Sequence, residues 1–357
     1  MSRPIRIKFL SKTDPKNIEE IWAPLIPAEG FADVTFTFDA NDEKYDFLAV
    51  YEGLPKYPGH KSSPGFERLS CARSNTLLIT TEPSSIRVDG PKFLRQFGHV
   101  LTNKAPELVR HPNQIRQTPP LRWFYGRPMD GNGSWMTSDE ISQSSPEKKS
   151  NLSTVCSTKQ MSHTVHAARL KFVMALKNRM PELEVFGRGI RPISDKSEAM
   201  HDYRYHIAIE NHVEPGHWTE KLADCFLAEC LPFYFGDPDY AITFPKEAVI
   251  PIDILNINEA ENIIRKAIEN DEYGKRRSAI LEAKQRVLTE YNTLGWIANF
   301  VSGLDLSTPA EEEERIYNRH AFRQKYPISA VSDFAFRQLS RRKASAQPLQ
   351  NKVSLNS

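Results

Sequence analysis

The sequence predicts a two-domain α/β protein built on wound, largely parallel sheets. Short apolar runs of strand length recur through both halves, with helical or loop segments between them. From about Arg110 to Leu152 that rhythm dissolves into Pro, Gly, Ser and Asn, which reads as a linker or long surface loop. The length, 357 residues, suits about two domains at roughly 100–200 residues each.

In the first half, strands are expected at 5–10, 34–38, 47–51 and 77–80, with a helix at 15–22. The second half opens with a helix over 164–179, followed by strands at 183–186 and 205–209. A helix after Thr219, strands at 231–235 and 248–252, and helices at 260–270 and 273–291 complete it. The expected domains are 1–150 and 151–303, followed by a charged, mobile tail at 304–357 with one docking helix near 315–326. Within the tail, FAFRQLSRRK (334–343) mixes aromatics with Arg and Lys. A solvated tail is the favoured reading of that stretch, and peripheral contact with an anionic membrane is the other.

Hydrophobic residues make up 39% and charged residues 26%, an ordinary globular balance. Lys and Arg number 47 against 45 acidic residues, so the net charge is +2 and nucleic acid is not expected as a partner. No apolar run approaches the roughly 18–20 residues of a membrane span. The N-terminus reads as a first strand and not as a signal peptide, which points to the cytoplasm, or to peripheral attachment at the inner face of a membrane. Cys71, Cys156, Cys225 and Cys230 include no CxxC pair and are expected to be reduced, buried small hydrophobes.

The most informative stretch is YHIAIENHVEPGHWTEKLADCFLAECLPFYFGDP, 205–238. A strand runs into a polar loop opened by Glu210 and Asn211, and the loop closes on Thr219-Glu220-Lys221. Ala223, Phe226, Leu227 and Cys230 then follow at the spacing of one helix face. In open α/β sheets such a junction is where ligands bind. Thr219 can cap the helix, its first-turn N–H groups would point outward, and Lys221 adds a cation, so the junction suits a diphosphate. The competing reading is a capped surface helix with solvated Glu and Lys.

Arg169 borders the stripe of Val165, Ala168, Phe172 and Leu176. It is either a snorkelling surface residue or, near a cleft, a phosphate fork. Lys159, His163 and His166 lie nearby and rank lower. Glu82 ends the run LLITT before Pro83; it is a general-base candidate or a cap in a strand-to-loop turn. Asp237-Pro238-Asp239 has the form of a metal pair, but turn chemistry explains it better, and no protein-bound metal is expected. The sequence has no G-x-G-x-x-G, P-loop or G-x-S-x-G motif.

The segment ENHVEPGHWTEKLADCFLAECLPFYFGDPDYAITFP resembles the donor-binding signature of α-1,3-fucosyltransferases, glycosyltransferase family 10. That family reads E-N-S-x-x-x-D-Y-[IV]-T-E-K-L, then an apolar helix and a strand ending G-x-P. The resemblance covers about Thr158 to Asp253. It implies a GT-B-like fold, two Rossmann-like domains facing a cleft, and fucose transfer from GDP-fucose to a glycan hydroxyl. By that resemblance Lys221 and Arg169 neutralise the diphosphate, Glu220 holds ribose or fucose hydroxyls, Asn211 contacts the donor, and Glu82 is the general base. Here His217 stands where the family has Tyr and can still donate a hydrogen bond to the donor in its place, while Trp218 stands at its [IV] and His212 at its Ser.

The implied partners are a nucleotide-sugar donor and a surface glycan acceptor such as a lipopolysaccharide. An inverting transfer needs one base and stabilisation of the departing diphosphate. With two cations in place it requires no cofactor, although a divalent ion can accompany the donor. The alternatives are a GT-B enzyme with another nucleotide sugar and a noncatalytic nucleotide-sugar or glycan-binding relative. A retaining mechanism is disfavoured, since Glu220 and Glu229 stand one position wider than E-x7-E.

Overall fold

The computed structural model describes residues 3–12, 17–55, 65–128, 135–158 and 165–346, with backbone alone for 341–346. Lys159, His163, the first residues of two expected helices and the last of the tail lie outside these. The chain divides into two compact units, 1–119 together with 293–357, and 120–292.

The first unit opens with β1 (Ile5–Ser11), α1 (Ile18–Trp22), β2 (Val34–Thr37) and β3 (Phe47–Tyr51). It continues with β4 (Phe66–Arg68), β5 (Thr76–Thr80), α2 (Pro91–Leu94), β6 (His99–Thr102) and β7 (Gln114–Arg116). Six strands form one sheet in the order β2-β1-β3-β5-β6-β7, every pair parallel. FLAVY in β3 and TLLIT in β5 are buried almost throughout, as central strands covered on both faces must be. The strand order reverses between β1 and β3, so the carboxyl ends of these two strands mark the switch point where open α/β sheets place their sites.

The second unit holds α3 (Ser138–Gln143), β8 (Ser150–Val155), α4 (His166–Arg179), β9 (Glu184–Phe186) and β10 (Tyr203–Ile209). Then come α5 (Glu220–Leu227), β11 (Leu231–Phe235), α6 (Tyr240–Thr243), β12 (Ile250–Pro251), α7 (Ile257–Glu269), α8 (Glu272–Lys275) and α9 (Arg277–Leu288). Its sheet runs β12-β11-β10-β8-β9, again all parallel, with the reversal between β8 and β10. Tyr205, Ile207, Ile209, Leu231 and Phe233 from the strands pack with Phe172, Val173 and Leu176 of α4 and Ala260 and Ile264 of α7. Both units are Rossmann-like, as a GT-B-like architecture requires.

Two expectations are corrected. Residues 120–149 do not link domains but fold into the second unit. Asp224 accepts the backbone N–H groups of Phe124 and Tyr125 at 2.8 and 3.0 Å, and Lys284 donates to the Ser144 carbonyl at 2.8 Å. The Ser and Thr content there serves a capping box, Thr137 with Glu140, at the start of α3. The segment 304–346 is likewise no mobile tail. With α10 (Thr293–Ser302), it returns to the first unit as β13 (Arg315–Tyr317), α11 (Arg319–Lys325) and α12 (Pro327–Ala346). β13 pairs antiparallel with β4, and Ile316 and Phe322 enter the core beside Phe93. A few apolar residues and the buried Asp333 anchor it.

Candidate functional site

At the switch point of the second unit, Glu210 directly follows β10, and its carboxylate is fully buried. A buried carboxylate needs donors, and the next turn of chain supplies them. Oε1 accepts the Thr219 N–H at 2.7 Å, while Oε2 accepts the Thr219 hydroxyl at 2.6 Å and Lys221 Nζ at 3.1 Å. Thr219 Oγ1 in turn accepts from Lys221 Nζ at 2.9 Å and caps the Lys221 N–H at 3.4 Å. The expected outward N–H groups of α5 are therefore corrected. The Thr219 N–H is taken by Glu210 and the Lys221 N–H by the Thr219 hydroxyl, so the chain satisfies these donors itself.

The remaining charges form a chain. Lys221 lies 3.4 Å from Glu220, Glu220 3.6 Å from Lys196, and Lys196 2.7 Å from the buried Asp224. Burial alone would raise the Glu220 carboxyl, but Lys221 and Lys196 overcome it and hold the group at about 2. Burial would likewise lower the Lys221 ammonium, yet Glu210 and Glu220 keep it above its ordinary value. Of these partners Glu220 is the most exposed, at 25% of its side chain. Its hold on Lys221 is the one a ligand can replace most readily.

Arg169 is 7% exposed and faces inward, so the snorkelling reading does not hold. Asn211 fixes it twice over: its carbonyl accepts the Val165 N–H ahead of α4 at 3.2 Å, and its Oδ1 accepts Arg169 Nη1 at 2.9 Å. Arg169 Nε is buried with no hydrogen-bond partner in the strict geometric sense among the described residues, and the guanidinium lies beside the Cys156 thiol. A cationic fork with a spare donor at a switch point suits an anionic ligand. His217 is buried and its N–H donates to the Glu214 carbonyl at 3.0 Å. Trp218 is a core plug, its ring 5.0 Å from Phe244 and 5.3 Å from Tyr291.

Asp237 serves the turn. Its Oδ1 accepts the N–H groups of Gly216 and Asp239 at 2.8 and 2.9 Å, and burial pushes its carboxyl up to about 6. Among the described residues no group of three or more His, Cys, Asp or Glu is arranged to hold a metal. Glu229 is structural: it follows α5 at a φ of 57° and pairs with Lys284 and Arg277. All four cysteines are free and buried.

Glu82 belongs to the first unit, directly after β5, and is half-buried. The Glu82 N–H donates to the carboxylate of Glu52 at 3.1 Å, and Glu52 itself follows β3. Sequence reasoning missed Glu52, Lys196 and Asp224, and named Glu210 without a role. For Glu210 a signal existed, namely a carboxylate ending a buried strand with Thr and Lys at the next helix start. Lys196 and Glu52 carry none, because their partners lie far along the chain.

A parallel α/β unit that presents inward-facing cations at its switch point has the arrangement at which open α/β sheets place ligands. Known proteins resemble this chain as follows. Residues 145–275 match glycosyltransferase family 10 (fucosyltransferase), C-term. Over 74 residues the chain is 32% identical to the α-(1,3)-fucosyltransferase FucT of Helicobacter pylori, a match spanning 20% of this chain and 16% of that protein. Residues 145–275 are thus a glycosyltransferase family 10 domain. A crystal structure of an α1,3-fucosyltransferase superposes with a TM-score of 0.49 at 17% identity, covering 85% of this chain and 92% of that one. Another α1,3-fucosyltransferase structure, with GDP-fucose, gives 0.46 at 14% identity over 87% and 94%. These are the values of a distant likeness.

Proposed function

We propose that the chain is an inverting glycosyltransferase that moves fucose from GDP-fucose to a glycan hydroxyl, forming an α-1,3 linkage. The observation that carries this is the pair of oriented cations, Lys221 on Glu210 and Arg169 on Asn211, inside the family 10 domain. In the reaction the acceptor oxygen attacks C1 of the sugar as the C1–O bond to the β-phosphate breaks. The acceptor proton passes to the Glu82 carboxylate, and the electron pair leaves with GDP. Charge grows on the departing diphosphate, where preoriented Lys221 and Arg169 lower the barrier. The donor phosphate takes the place of Glu220 beside the Lys221 ammonium, which frees Glu220 to accept from ribose or fucose hydroxyls.

The test is a thermal-shift and calorimetric panel of GDP, UDP, GDP-fucose and other GDP-sugars. Binding of GDP and GDP-fucose over UDP is expected; no response to GDP would remove the reading. A different nucleotide sugar on the same scaffold is the second reading, favoured by His217 and Trp218 standing where the family has Tyr and [IV]. Binding of a UDP-sugar in preference to GDP-fucose would decide for it.

Among the described residues no helix is long and apolar enough to cross a membrane. Peripheral contact rests on α12, which exposes Ile328, Val331, Phe334 and Leu339 ahead of Arg341, Arg342 and Lys343. Co-sedimentation with phosphatidylserine vesicles, lost on replacing Val331 and Leu339 by Ser, is its test. Equal sedimentation of both proteins would refute it.

A further inference from the structure

At the switch point of the first unit, the carboxylate of Glu52 is buried at the end of β3 and ringed by donors. Oε1 accepts the Thr81 N–H, the Thr81 hydroxyl at 2.8 Å and the Glu82 N–H at 3.1 Å. Oε2 accepts Arg87 Nη1 at 2.7 Å and Lys12 Nζ at 3.3 Å, the lysine coming from the end of β1. Arg87 Nη1 also reaches the Glu52 carbonyl, and Arg87 Nε is held by Asp89 at 2.7 Å.

The pattern has one geometric consequence. The segment from Thr81 to Arg87 leaves β5, turns at Pro83, whose carbonyl accepts the N–H groups of Ile86 and Arg87 at 3.0 Å, and comes back. Both ends of that loop close on the same carboxylate. Glu52 adopts a φ of 64° to do this, a conformation that a non-glycine residue keeps only where its surroundings over-determine it. The carboxylate is not available as a base, since Arg87 and the Thr81 donors overcome its burial and hold it at about 2.

We infer that Glu52 is a positioning residue, which clamps the loop 81–87 at both ends and so fixes where the Glu82 carboxylate stands. The inference rests on Glu82 being the base. Reaction geometry is sensitive to misplacements of about 1 Å, and without the clamp the backbone N–H groups of Thr81 and Glu82 lose their acceptor.

The test compares Glu52→Gln, Thr81→Val, Glu82→Gln and the double variant Glu52→Gln/Glu82→Gln in the full chain. Each is checked for fold by circular dichroism and for GDP binding by calorimetry. Glu52→Gln is expected to lower kcat about 10–100-fold while KM for the donor and GDP affinity stay within about twofold. Thr81→Val, which removes one donor, should lower kcat several-fold and decides the matter if Glu52→Gln does not fold. The double variant should be no slower than Glu82→Gln alone, because the clamp has nothing left to position. Wild-type kcat in Glu52→Gln or Thr81→Val, with Glu82→Gln inactive, would overturn the clamp and leave the base standing. Full transfer by Glu82→Gln would remove the base, and the clamp's purpose with it.

Discussion

Glu210 Oε2 and Lys221 Nζ, eleven positions apart in sequence, meet at 3.1 Å across the start of α5, and Glu210 is fully buried. The pair aims the lysine, and it also makes the lysine structurally necessary. Its removal would leave a buried carboxylate one donor short.

Lys221→Met is therefore expected to cost stability and binding together. Stability should fall by roughly 3–5 kcal/mol, the penalty of breaking a buried pair from one side. GDP affinity should fall about 10–100-fold, the worth of a charge-assisted hydrogen bond. The double variant Glu210→Gln/Lys221→Met separates the two effects: urea unfolding should recover most of the stability, and calorimetry should show no recovery of GDP binding. Recovery of binding would show that Lys221 acts only as a counter-ion to Glu210.

Arg169→Lys should weaken GDP about tenfold, since an ammonium cannot hold Asn211 and a phosphate in the fixed fork of a guanidinium. Asn211→Ala, which leaves the guanidinium unaligned, should weaken it less, by about threefold. Titration calorimetry at low salt reads both. Unchanged affinity in Arg169→Lys would place Arg169 in the packing of α4 alone.

His206 gives the fold an acid limit. It is buried beside Ser153, with Oγ 2.8 Å from Nδ1, and burial, then Lys196 and Lys148, push its pKa from 6.5 down to about 3. Between those values the unfolded chain binds a proton that the folded chain refuses, so stability falls as pH drops below about 6.5. One group contributes up to about 1.4 kcal/mol per pH unit. Glu220, held at about 2, acts in the same direction only below its ordinary 4.5. Asp237, raised to about 6, acts oppositely, since the folded state keeps its proton. Both are shared by His206→Gln, which isolates the histidine. Its loss of stability from pH 7 to pH 5 should be smaller than the wild type's by roughly 2 kcal/mol in urea unfolding; equal losses would contradict a neutral buried His206.

Asp333 of α12 accepts the N–H groups of Lys92 and Phe93 at 2.9 Å, capping α2 from about 240 residues away. Asp333→Ala should cost about 0.5–2 kcal/mol, as loss of a cap does. Hydrogen exchange along α12 and limited proteolysis should rise with it. An unchanged pattern would mean that α12 is held by its other contacts.

The strands of both sheets were legible wherever an apolar run was buried on both faces, as in Phe47–Tyr51 and Leu231–Phe235, which fall where expected. β6 was not legible: Gly98 precedes it and His99 opens it, leaving a short apolar run that pairing with β5 and β7 makes a strand. β13 was missed for a similar reason. A three-residue strand inside a charged segment has no period to read, and the core that receives Ile316 lies far back in sequence. At the site, Thr219, Lys221, Asn211 and Arg169 could be read because they fall on local patterns of cap, strand end and helix stripe. The partners that orient or clamp, Lys196 and Glu52, could not, since hydrogen bonds across distant strands leave no spacing in a chain.

The central claim is that one set of residues binds GDP-fucose while a separate carboxylate, Glu82, takes the acceptor proton. The most direct test measures transfer from GDP-fucose to a panel of N-acetyllactosamine-type acceptors, with GDP affinity determined in parallel, for the wild type and Glu82→Gln. The account predicts transfer by the wild type, a loss of kcat of at least about a hundredfold in Glu82→Gln, and the same GDP affinity in both. Undiminished transfer by Glu82→Gln, or a wild type that binds GDP and fucosylates none of the acceptors, would contradict it.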